Sequence, residues 1–301
     1  HQAFREVISS FQSVYETEPA VVVSDLHPDY LSTQYARGLG LPHLQVQHHY
    51  AHVLSCMAEN QIEGPVLGVS WDGTGFGPDG TVWGGEFLLT NGHGFRRAAH
   101  FRTFPLPSGD GAVKQPGRTA LGLLYERFGG AVFERIDWAP IRSLSKSERR
   151  VLRDMLQKRL NSPLTSSAGR LFDAVASLLD IRQTVSFEGQ AAMELEFAIN
   201  DADAPQTNAS DIDQGYSFDI IPQENSDSLI VDWAPMLDAL LDDIQSGCSP
   251  SYCSTRFHIG LADVIVNVAK RLNENRVVLT GGCFQNKYLC ERSIHRLREE
   301  G

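Results

Sequence analysis

Three of the ten histidines fall within one short stretch, Gln-His-His-Tyr-Ala-His at residues 47–52. If a helix begins here, His48 and His52 lie four residues apart, one above the other on the same face. At that spacing two neutral imidazoles can bind one Zn²⁺ or Fe²⁺ ion. Two ligands leave positions on the ion for further protein ligands and for substrate. His49 points to another face, where it acts either as an acid/base or as a local hydrogen-bonding group.

The histidine spacing alone does not decide between a metal site and a polar helix start, because short motifs often match by chance. The composition narrows the class of protein instead. Hydrophobic residues make up 42% and charged residues 21% of 301 residues, which is ordinary for a globular chain. The net charge of −11 disfavours binding to nucleic acid through its phosphates. No apolar run approaches the roughly 20 residues that span a bilayer.

The five cysteines are an odd number without a Cys-x-x-Cys pair, which is typical of a protein in a reducing compartment. We therefore expect a cytoplasmic protein. The helices and strands that position the histidines have to be inferred from the apolar pattern of the rest of the sequence.

Helices and strands alternate through the first third of the chain. Apolar residues with helical periodicity predict a helix over residues 4–15. Short apolar runs predict strands at 20–24, 44–46, 66–71 and 81–89, the last two joined by a hairpin at Asp79-Gly80. This alternation is typical of an α/β lobe with parallel strand pairs, and the histidine helix follows its second strand.

Prolines and glycines between residues 105 and 111 predict a lobe boundary, so we divide the chain at 106. Residues 1–106 would form a first α/β lobe with the metal-binding helix. Residues 107–301 would form a second, helix-rich α/β lobe with nucleotide-binding loops. Its predicted elements are helices at 118–128, 146–160, 168–181, 187–200, 234–245 and 255–272, a surface excursion at 201–228 and a strand at 276–280.

Four glycine-containing stretches lie where strands end or helices begin. They are Asp-Gly-Thr-Gly at 72–75, Gly-Arg-Leu-Phe-Asp at 169–173, Ser-Phe-Glu-Gly-Gln at 186–190 and Gly-Gly at 281–282. Glycine lets a ligand approach the backbone, and exposed amides at a helix start favour phosphate. Each stretch alone is better explained by an ordinary strand-to-helix turn, given how weak lone glycine motifs are. None matches a P-loop or the dinucleotide fingerprint.

Five longer stretches in the same order resemble the C-terminal half of the HypF carbamoyltransferases, the family used in maturing nickel–iron hydrogenases. They are residues 25–33, 46–52, 72–75 with 83–86, 187–196 and 281–286. The resemblance covers essentially the whole chain. It implies an actin-like ATPase fold of two lobes, similar to the tRNA threonylcarbamoyl-transfer protein and to antibiotic O-carbamoyltransferases.

The resemblance also implies a reaction. In this family a neighbouring domain makes carbamoyl-adenylate from carbamoyl phosphate and ATP. The domain resembled here transfers the carbamoyl group to the C-terminal cysteine of HypE, where it is dehydrated towards cyanide. The expected partners are therefore HypE and the adenylate-forming domain of the same longer protein, with no membrane and no nucleic acid.

Carried over by position, the resemblance implies that His48, His52 and Asp72 bind a divalent metal, Fe or Zn, with Mg possible at the nucleotide. We expect Asp72 and His49 to take part in catalysis. ATP or carbamoyl-adenylate would contact Gly73, Thr74, Gly75, Gly169, Phe172, Asp173, Glu188, Gly189, Gly281, Gly282, Phe284 and Asn286.

The family also has a phosphate-binding hairpin before residue 1 and an Asn-Asp-Gly-Gly segment after residue 301. We therefore expect a fragment trimmed at both ends. Three alternatives stay open at this point. The chain could be an O-carbamoyltransferase acting on a small molecule, or a non-catalytic module that docks HypE. A tRNA-modifying transferase is disfavoured by the acidic charge.

Overall fold

The computed structural model of the chain describes residues 2–199 and 214–301. Its helices are α1 (Gln2–Tyr15), α2 (Leu31–Arg37), α3 (His48–Glu59), α4 (Asp110–Val113), α5 (Pro116–Phe128), α6 (Ala139–Arg142), α7 (Lys146–Gln157), α8 (Ala168–Leu178), α9 (Gln190–Phe197), α10 (Ala234–Gln245), α11 (Pro250–Leu272) and α12 (Lys287–Glu299). Short 3₁₀ helices cover Gly129–Glu134 and Gly282–Gln285.

The strands are β1 (Val22–Asp25), β2 (His43–Val46), β3 (Val66–Phe76), β4 (Val82–Thr90), β5 (Phe95–Phe101), β6 (Phe104–Pro105), β7 (Leu164–Thr165), β8 (Asp219–Pro222), β9 (Leu229–Asp232) and β10 (Val277–Thr280). Strands β1 and β2 form a separate parallel pair. The other strands form a mixed sheet with the order β10-β3-β4-β5-β9-β8, to which β7 and β6 are added beside β4.

Local sequence explains where several helices begin. Ser145 and Glu148 form a reciprocal capping box at the start of α7. The Ser167 side chain accepts a hydrogen bond from the Arg170 amide at the start of α8. Ser249 caps α11, whose first residue is Pro250, the position at which proline costs a helix nothing. These caps supply the hydrogen bonds that the first amides of a helix lack.

The main core lies between the large sheet and α5, α8, α10 and α11. Its largest fully buried side chains include Trp71, Phe87, Phe101, Trp233 and Phe257. Helix α3 packs on the other side of β3, where a smaller core contains the residues Val53, Met57, Val66, Trp83, Leu88 and Val278. Burial on both faces explains why β3 begins with the apolar run Val66–Val69 rather than with alternating polar residues.

The predicted α/β fold is confirmed, as are the helix near residues 4–15, the hairpin and each helix predicted between 118 and 272. Residue 200, the end of one of these helices, lies outside the described residues. Strand β3 is longer than predicted, since it continues through residues 72–75 to Phe76. Among the described residues, no helix has both the length and the apolar character needed to cross a bilayer.

Two predictions for the rest of the chain were incomplete. Strand β5 was not predicted, and β8 lies inside the predicted surface excursion at 201–228, whose residues 201–213 lie outside the described residues. The large sheet also joins strands from both sides of residue 106, because β5 pairs with β9 and β3 pairs with β10. The division of the chain at 106 stays a prediction.

Candidate metal and nucleotide site

Helix α3 presents two histidines on its open face. Its N-cap is Gln47, whose side-chain oxygen accepts a hydrogen bond from the Tyr50 amide at 2.9 Å. The first helical residue is His48, and His52 lies one turn later, so their rings face the same side. Their Nε2 atoms are 3.2 Å apart. The predicted helix start and the predicted shared face are therefore both present.

Strand β3 presents a carboxylate to these histidines. The pairing of β3 with β4 shifts register between Trp71 and Gly75, and this bulge directs Asp72 towards α3. Its Oδ2 atom lies 3.1 Å from His52 Nε2 and 3.6 Å from His48 Nε2. The Gly73 amide donates a hydrogen bond to Oδ1 at 2.7 Å. The bulge thus fixes the carboxylate at the place where the two rings converge.

Helix α8 holds this bulge in place. The Ser167 hydroxyl lies 2.7 Å from the carbonyl oxygen of Asp72 and 2.8 Å from that of Gly73. The same Oγ atom accepts the Arg170 amide. A single N-cap side chain therefore connects the start of a buried helix to the strand that carries Asp72.

The three predicted ligands form the single group of histidine, cysteine, aspartate or glutamate side chains in residues 2–199 and 214–301 that could hold a metal ion, with all donor atoms within 4.8 Å of one another. Three ligands bound about 2.0–2.1 Å from a tetrahedral ion are about 3.3 Å apart, which the observed separations approach. Two imidazole nitrogens and one carboxylate oxygen suit Zn²⁺ or Fe²⁺. The donor set fits the predicted metal, and the metal's presence stays a prediction.

Charge in this cluster is distributed unevenly. Burial alone raises the pKa of Asp72, but interactions with His48, His52 and the Gly73 amide outweigh burial and hold that pKa well below its usual range. The Asp72 carboxylate in turn raises the pKa of His48, against the opposing effect of burial and with help from Asp25. Asp72 is therefore ionised at neutral pH, as a metal ligand must be.

His49 occupies the opposite side of α3 and is completely buried. Its Nδ1 atom lies 3.1 Å from Gln47 Nε2, and its Nε2 atom has no hydrogen-bond partner among the described residues. Burial lowers the pKa of His49 to about 4, so the ring is neutral. Gly75 lies against it: a Cβ at that position would be 2.4 Å from the ring. Burial and the Gln47 contact agree with the alternative of a local hydrogen-bonding group, and a catalytic role for His49 stays a prediction.

Several predicted nucleotide-binding residues do converge next to Asp72. A Cβ added to Gly282 would lie 3.0 Å from Asp72 Oδ1, and one added to Gly73 would lie 2.8 Å from Glu188 Oε1. Gly169 lies against the Gly73 backbone. We call Gly73, Gly169, Gly281 and Gly282, together with the Glu188 carboxylate that lies against Gly73, the glycine wall.

The backbone at Gly281 explains why glycine is required there. Its φ is +96°, a region that L-residues rarely adopt, and a Cβ would lie 2.3 Å from the Trp71 carbonyl oxygen. The loop after β10 therefore passes directly against β3, beside Asp72. Gly189, with φ of +81°, begins α9 in the same way and aligns the preceding Glu188 with the wall.

Other predicted nucleotide-binding side chains have different surroundings. Phe172 is 1% exposed and packs edge-on against Phe257 in the core, so its ring does not face the wall. Asn286 caps α12 through the Leu289 amide, and its Nδ2 atom is 2.8 Å from His258 Nε2. For Phe172 and Asn286 the structure differs from the prediction, because internal contacts already occupy their side chains.

The last three predicted nucleotide-binding residues, Phe284, Thr74 and Asp173, neither belong to the glycine wall nor have surroundings that differ clearly from the prediction. Phe284 stacks on Trp71 and lines an open cavity of about 300 Å³ beside His52. Thr74 is exposed on the bulge. Asp173 is 3% exposed, and burial raises its pKa to about 6 although Arg170 Nη2 is 3.2 Å away. Their ligand contacts stay predictions.

Two polar residues at the site were missed by sequence reasoning. Asp25 lies behind His48, with its Oδ2 atom 2.9 Å from His48 Nδ1. Its position at the end of a predicted strand was the available signal, since open α/β sheets bring ligands to that edge. Arg170 is buried beneath Gly73, with Nε and Nη1 unpartnered among the described residues. It lies within the glycine-containing stretch at 169–173, but arginine is mostly exposed in proteins and its type alone gives no signal of burial.

Comparison with known proteins matches this chain to one group of carbamoyltransferases. Residues 68–301 match the family described as the second subdomain of the carbamoyltransferase Kae1-like domain, and residues 1–59 match the HypF Kae1-like domain. The carbamoyltransferase HypF of Synechocystis sp. is 38% identical over 100% of this chain and 39% of its own length. That of Rhizobium leguminosarum bv. viciae is 37% identical over 99% of this chain and 37% of its own length.

Solved structures give the same result. The crystal structure of full-length HypF in the phosphate- and nucleotide-bound form has a TM-score of 0.88 at 36% identity, over 99% of this chain and 45% of that one. T. kodakarensis HypF has a TM-score of 0.82 at 29% identity, over 100% of this chain and 39% of that one. The chain therefore spans less than half the length of each of these proteins.

Proposed function

Because the chain belongs to the HypF carbamoyltransferase family, we propose that it transfers a carbamoyl group from carbamoyl-adenylate to an acceptor thiol. The convergence of His48, His52 and Asp72 on one point beside the glycine wall is the observation that supports this most strongly. It brings a site for a divalent cation next to backbone that a nucleotide can approach.

In the proposed arrangement the nucleotide lies along the glycine wall with its phosphate near Asp72 and its reactive carbonyl near the two histidines. Gly282 is exposed and has no side chain to obstruct it there, whereas Gly73 is buried beside it against the Glu188 carboxylate. A helix start, that of α8, lies next to Gly73 and favours negative charge. The related full-length HypF was crystallised with phosphate and nucleotide bound, which is consistent with this use of the cleft.

The transfer step is an acyl substitution. The acceptor reacts as a thiolate after its proton has passed to solvent: the sulfur forms a bond to the carbamoyl carbon, the bond from that carbon to the phosphate oxygen breaks, and AMP leaves with the electron pair. A bound Zn²⁺ or Fe²⁺ would supply Lewis-acid stabilisation of the oxygen that becomes negative in this step. His48, His52 and Asp72 would hold the cation, and α3 and the β3 bulge orient these three side chains.

The acceptor thiol comes from a partner rather than from this chain. Burial raises the pKa of all five cysteine thiols, that of Cys253 to about 11, which leaves them protonated at neutral pH. A protonated thiol is a poor nucleophile. We propose the C-terminal cysteine of HypE as the acceptor. The carbamoyl-adenylate would be made by an adenylate-forming domain of the longer protein.

A single-turnover assay tests the proposal. The 301-residue chain is incubated with carbamoyl-adenylate and a peptide carrying the HypE C-terminal cysteine, with and without added Zn²⁺ or Fe²⁺, and the carbamoylated peptide is measured by mass spectrometry. We expect metal-dependent transfer. We expect His52→Ala to reduce its rate by about 10- to 100-fold or more, since losing a ligand costs at least as much as losing a residue that supports one.

The matched control is His93→Ala, which removes an exposed histidine from the β4–β5 turn and leaves α3 untouched. It should transfer at the unaltered rate. Peptide binding without transfer, at saturating metal and carbamoyl-adenylate, would contradict the proposal and identify the chain as a docking module. Equal rates with and without metal, and in His52→Ala, would contradict the role of the cation.

A further inference from the structure

Asp25 lies at the end of β1, outside the three metal ligands, and both of its carboxylate oxygens are engaged. Oδ1 accepts a hydrogen bond from the His27 amide at 2.8 Å. Oδ2 lies 2.9 Å from His48 Nδ1, and the side chain is 17% exposed. The other ring nitrogen of His48, Nε2, faces His52 and Asp72. Asp25 thus lies directly behind the ligand atom of His48.

The backbone of Asp25 is fixed independently of its side chain. Its residue pairs with Val46 in the β1–β2 register, and the Leu26 amide donates to the Val46 carbonyl at 3.0 Å. The Thr33 hydroxyl donates to the Asp25 carbonyl at 3.1 Å. Since β2 leads directly into α3, one short parallel pair carries both Asp25 and the start of the histidine helix. The carboxylate therefore reaches His48 from a rigid support.

We propose that Asp25 is a positioning residue that holds the proton of neutral His48 on Nδ1 and leaves the Nε2 lone pair for the cation. An ionised carboxylate only accepts hydrogen bonds, so Nδ1 must donate. Carboxylates behind ligating histidines fix the tautomer and the ring orientation, and they increase the basicity of the ligand nitrogen. The role of Asp25 in metal binding rests on the proposed function. The tautomer of His48 rests only on its hydrogen bond to Asp25.

The geometry also explains why an amide cannot replace this carboxylate. Asp25 accepts from two donors, the His27 amide and His48 Nδ1. Asparagine has one acceptor atom and one donor group. If its oxygen accepts from His27, its NH₂ group faces His48 Nδ1, and the proton moves to Nε2 and blocks the lone pair. If the amide is reversed, the His27 hydrogen bond is lost.

Two measurements test this inference on Asp25→Ala, Asp25→Asn and a control, Asp29→Asn, which changes an exposed carboxylate in the same segment. The first is the His48 tautomer from nitrogen-15 NMR of the metal-free chain, at a pH where the imidazole is neutral. The second is Zn²⁺ affinity, measured by competition with a chromophoric chelator. We expect the Nδ1–H tautomer in the unaltered chain and in Asp29→Asn.

In Asp25→Asn the tautomer should shift towards Nε2–H, and both Asp25 variants should bind Zn²⁺ about 10- to 100-fold more weakly. Should Asp25→Ala not fold, Asp25→Asn alone decides, because it keeps the size of the side chain. An Nε2–H tautomer in the unaltered chain would overturn the inference. Unchanged tautomer and affinity in the Asp25 variants would also overturn it. If the unaltered chain binds no Zn²⁺, the proposed function fails, while the tautomer comparison still decides the role of Asp25.

Discussion

The β3–β4 hairpin carries two carboxylates with opposite surroundings, Asp72 on one strand and Glu86 on the other. Glu86 is completely buried and contacts Arg97 Nε at 2.6 Å, the Ser166 hydroxyl at 2.5 Å and two backbone amides. Asp72 is 23% exposed, and its side-chain partners are two histidines and the Gly73 amide. Glu86 thus has a permanent cation, Arg97, beside it, and Asp72 has none.

This difference separates a structural charge from a functional one. Burial alone raises the pKa of Glu86, but the Arg97 guanidinium outweighs burial and lowers that pKa to about 2. Arginine stays charged at every accessible pH, so the pair cannot exchange its cation. The partners of Asp72 are imidazoles instead, whose neutral ring nitrogens are good ligands for a metal ion. The same hairpin thus holds a fixed ion pair in its core and the proposed cation site at its edge.

The largest expected effect is on stability, at the fixed pair. Glu86→Gln leaves the Arg97 guanidinium without its buried counter-charge, which should lower the free energy of unfolding by about 3–5 kcal/mol. Urea denaturation measures this. The control is Asp238→Asn, which breaks a half-exposed pair with Arg127 and should cost about 0–1 kcal/mol. Equal losses in the two variants would show that Glu86 is not structural.

The next effect should appear in metal affinity rather than in stability. Asp72→Asn keeps the shape of the side chain but removes its charge, so we expect Zn²⁺ affinity to fall about 10- to 100-fold. The metal-free protein should lose less stability than Glu86→Gln removes, because Asp72 and its two histidine partners are partly exposed and have no permanent cation beside them. A chelator competition paired with urea denaturation gives both values. If Asp72→Asn unfolds the protein without weakening Zn²⁺ binding, Asp72 is a structural carboxylate like Glu86.

The smallest expected effect is on how the free energy of unfolding of the metal-free protein depends on pH. Because the Asp72 carboxylate raises the pKa of His48 above its unfolded value near 6.5, the stabilising contact is fully present below that value and is lost as the pH rises through the folded pKa. Asp72→Asn should remove most of this decline, and His93→Ala should leave it unchanged. Urea denaturation at pH values above 6.5 measures it, since buried His49 and His258, with pKa values lowered to about 4, titrate below that range.

The placing of His48 and His52 on one helix face could be predicted from sequence because it depends only on their four-residue spacing. Asp72 was expected beside them from the family resemblance and from its position at the end of a predicted strand, the edge where ligands bind. The role of these three residues as metal ligands stays a prediction. The Asp25 contact could not be predicted, because it depends on which strands pair. Strand β5 was missed because Arg96 and Arg97 interrupt its apolar pattern, and with it the Glu86–Arg97 pair.

Errors at the nucleotide side have a different cause. Every residue of α8 is buried, so no face of it is left for solvent and Phe172 enters the core. Sequence periodicity indicates which residues share a helix face, but only the tertiary structure shows how many faces are covered. Asn286 was assigned to a ligand for a similar reason. Its cap of α12 depends on where the preceding 3₁₀ turn ends, and element boundaries are poorly determined by sequence.

The two halves of the site also differ in their distance along the chain. Asp25, His48, His52 and Asp72 all lie in the first quarter of the sequence, whereas the last glycine of the wall is Gly282. Local contacts form faster than distant ones, and a chain emerges from the ribosome with its N-terminal part first. The cation ligands are therefore synthesised long before the wall is complete. If the proposed site binds a metal ion at that stage, the ion would stabilise the contact between α3 and β3 according to its concentration relative to Kd.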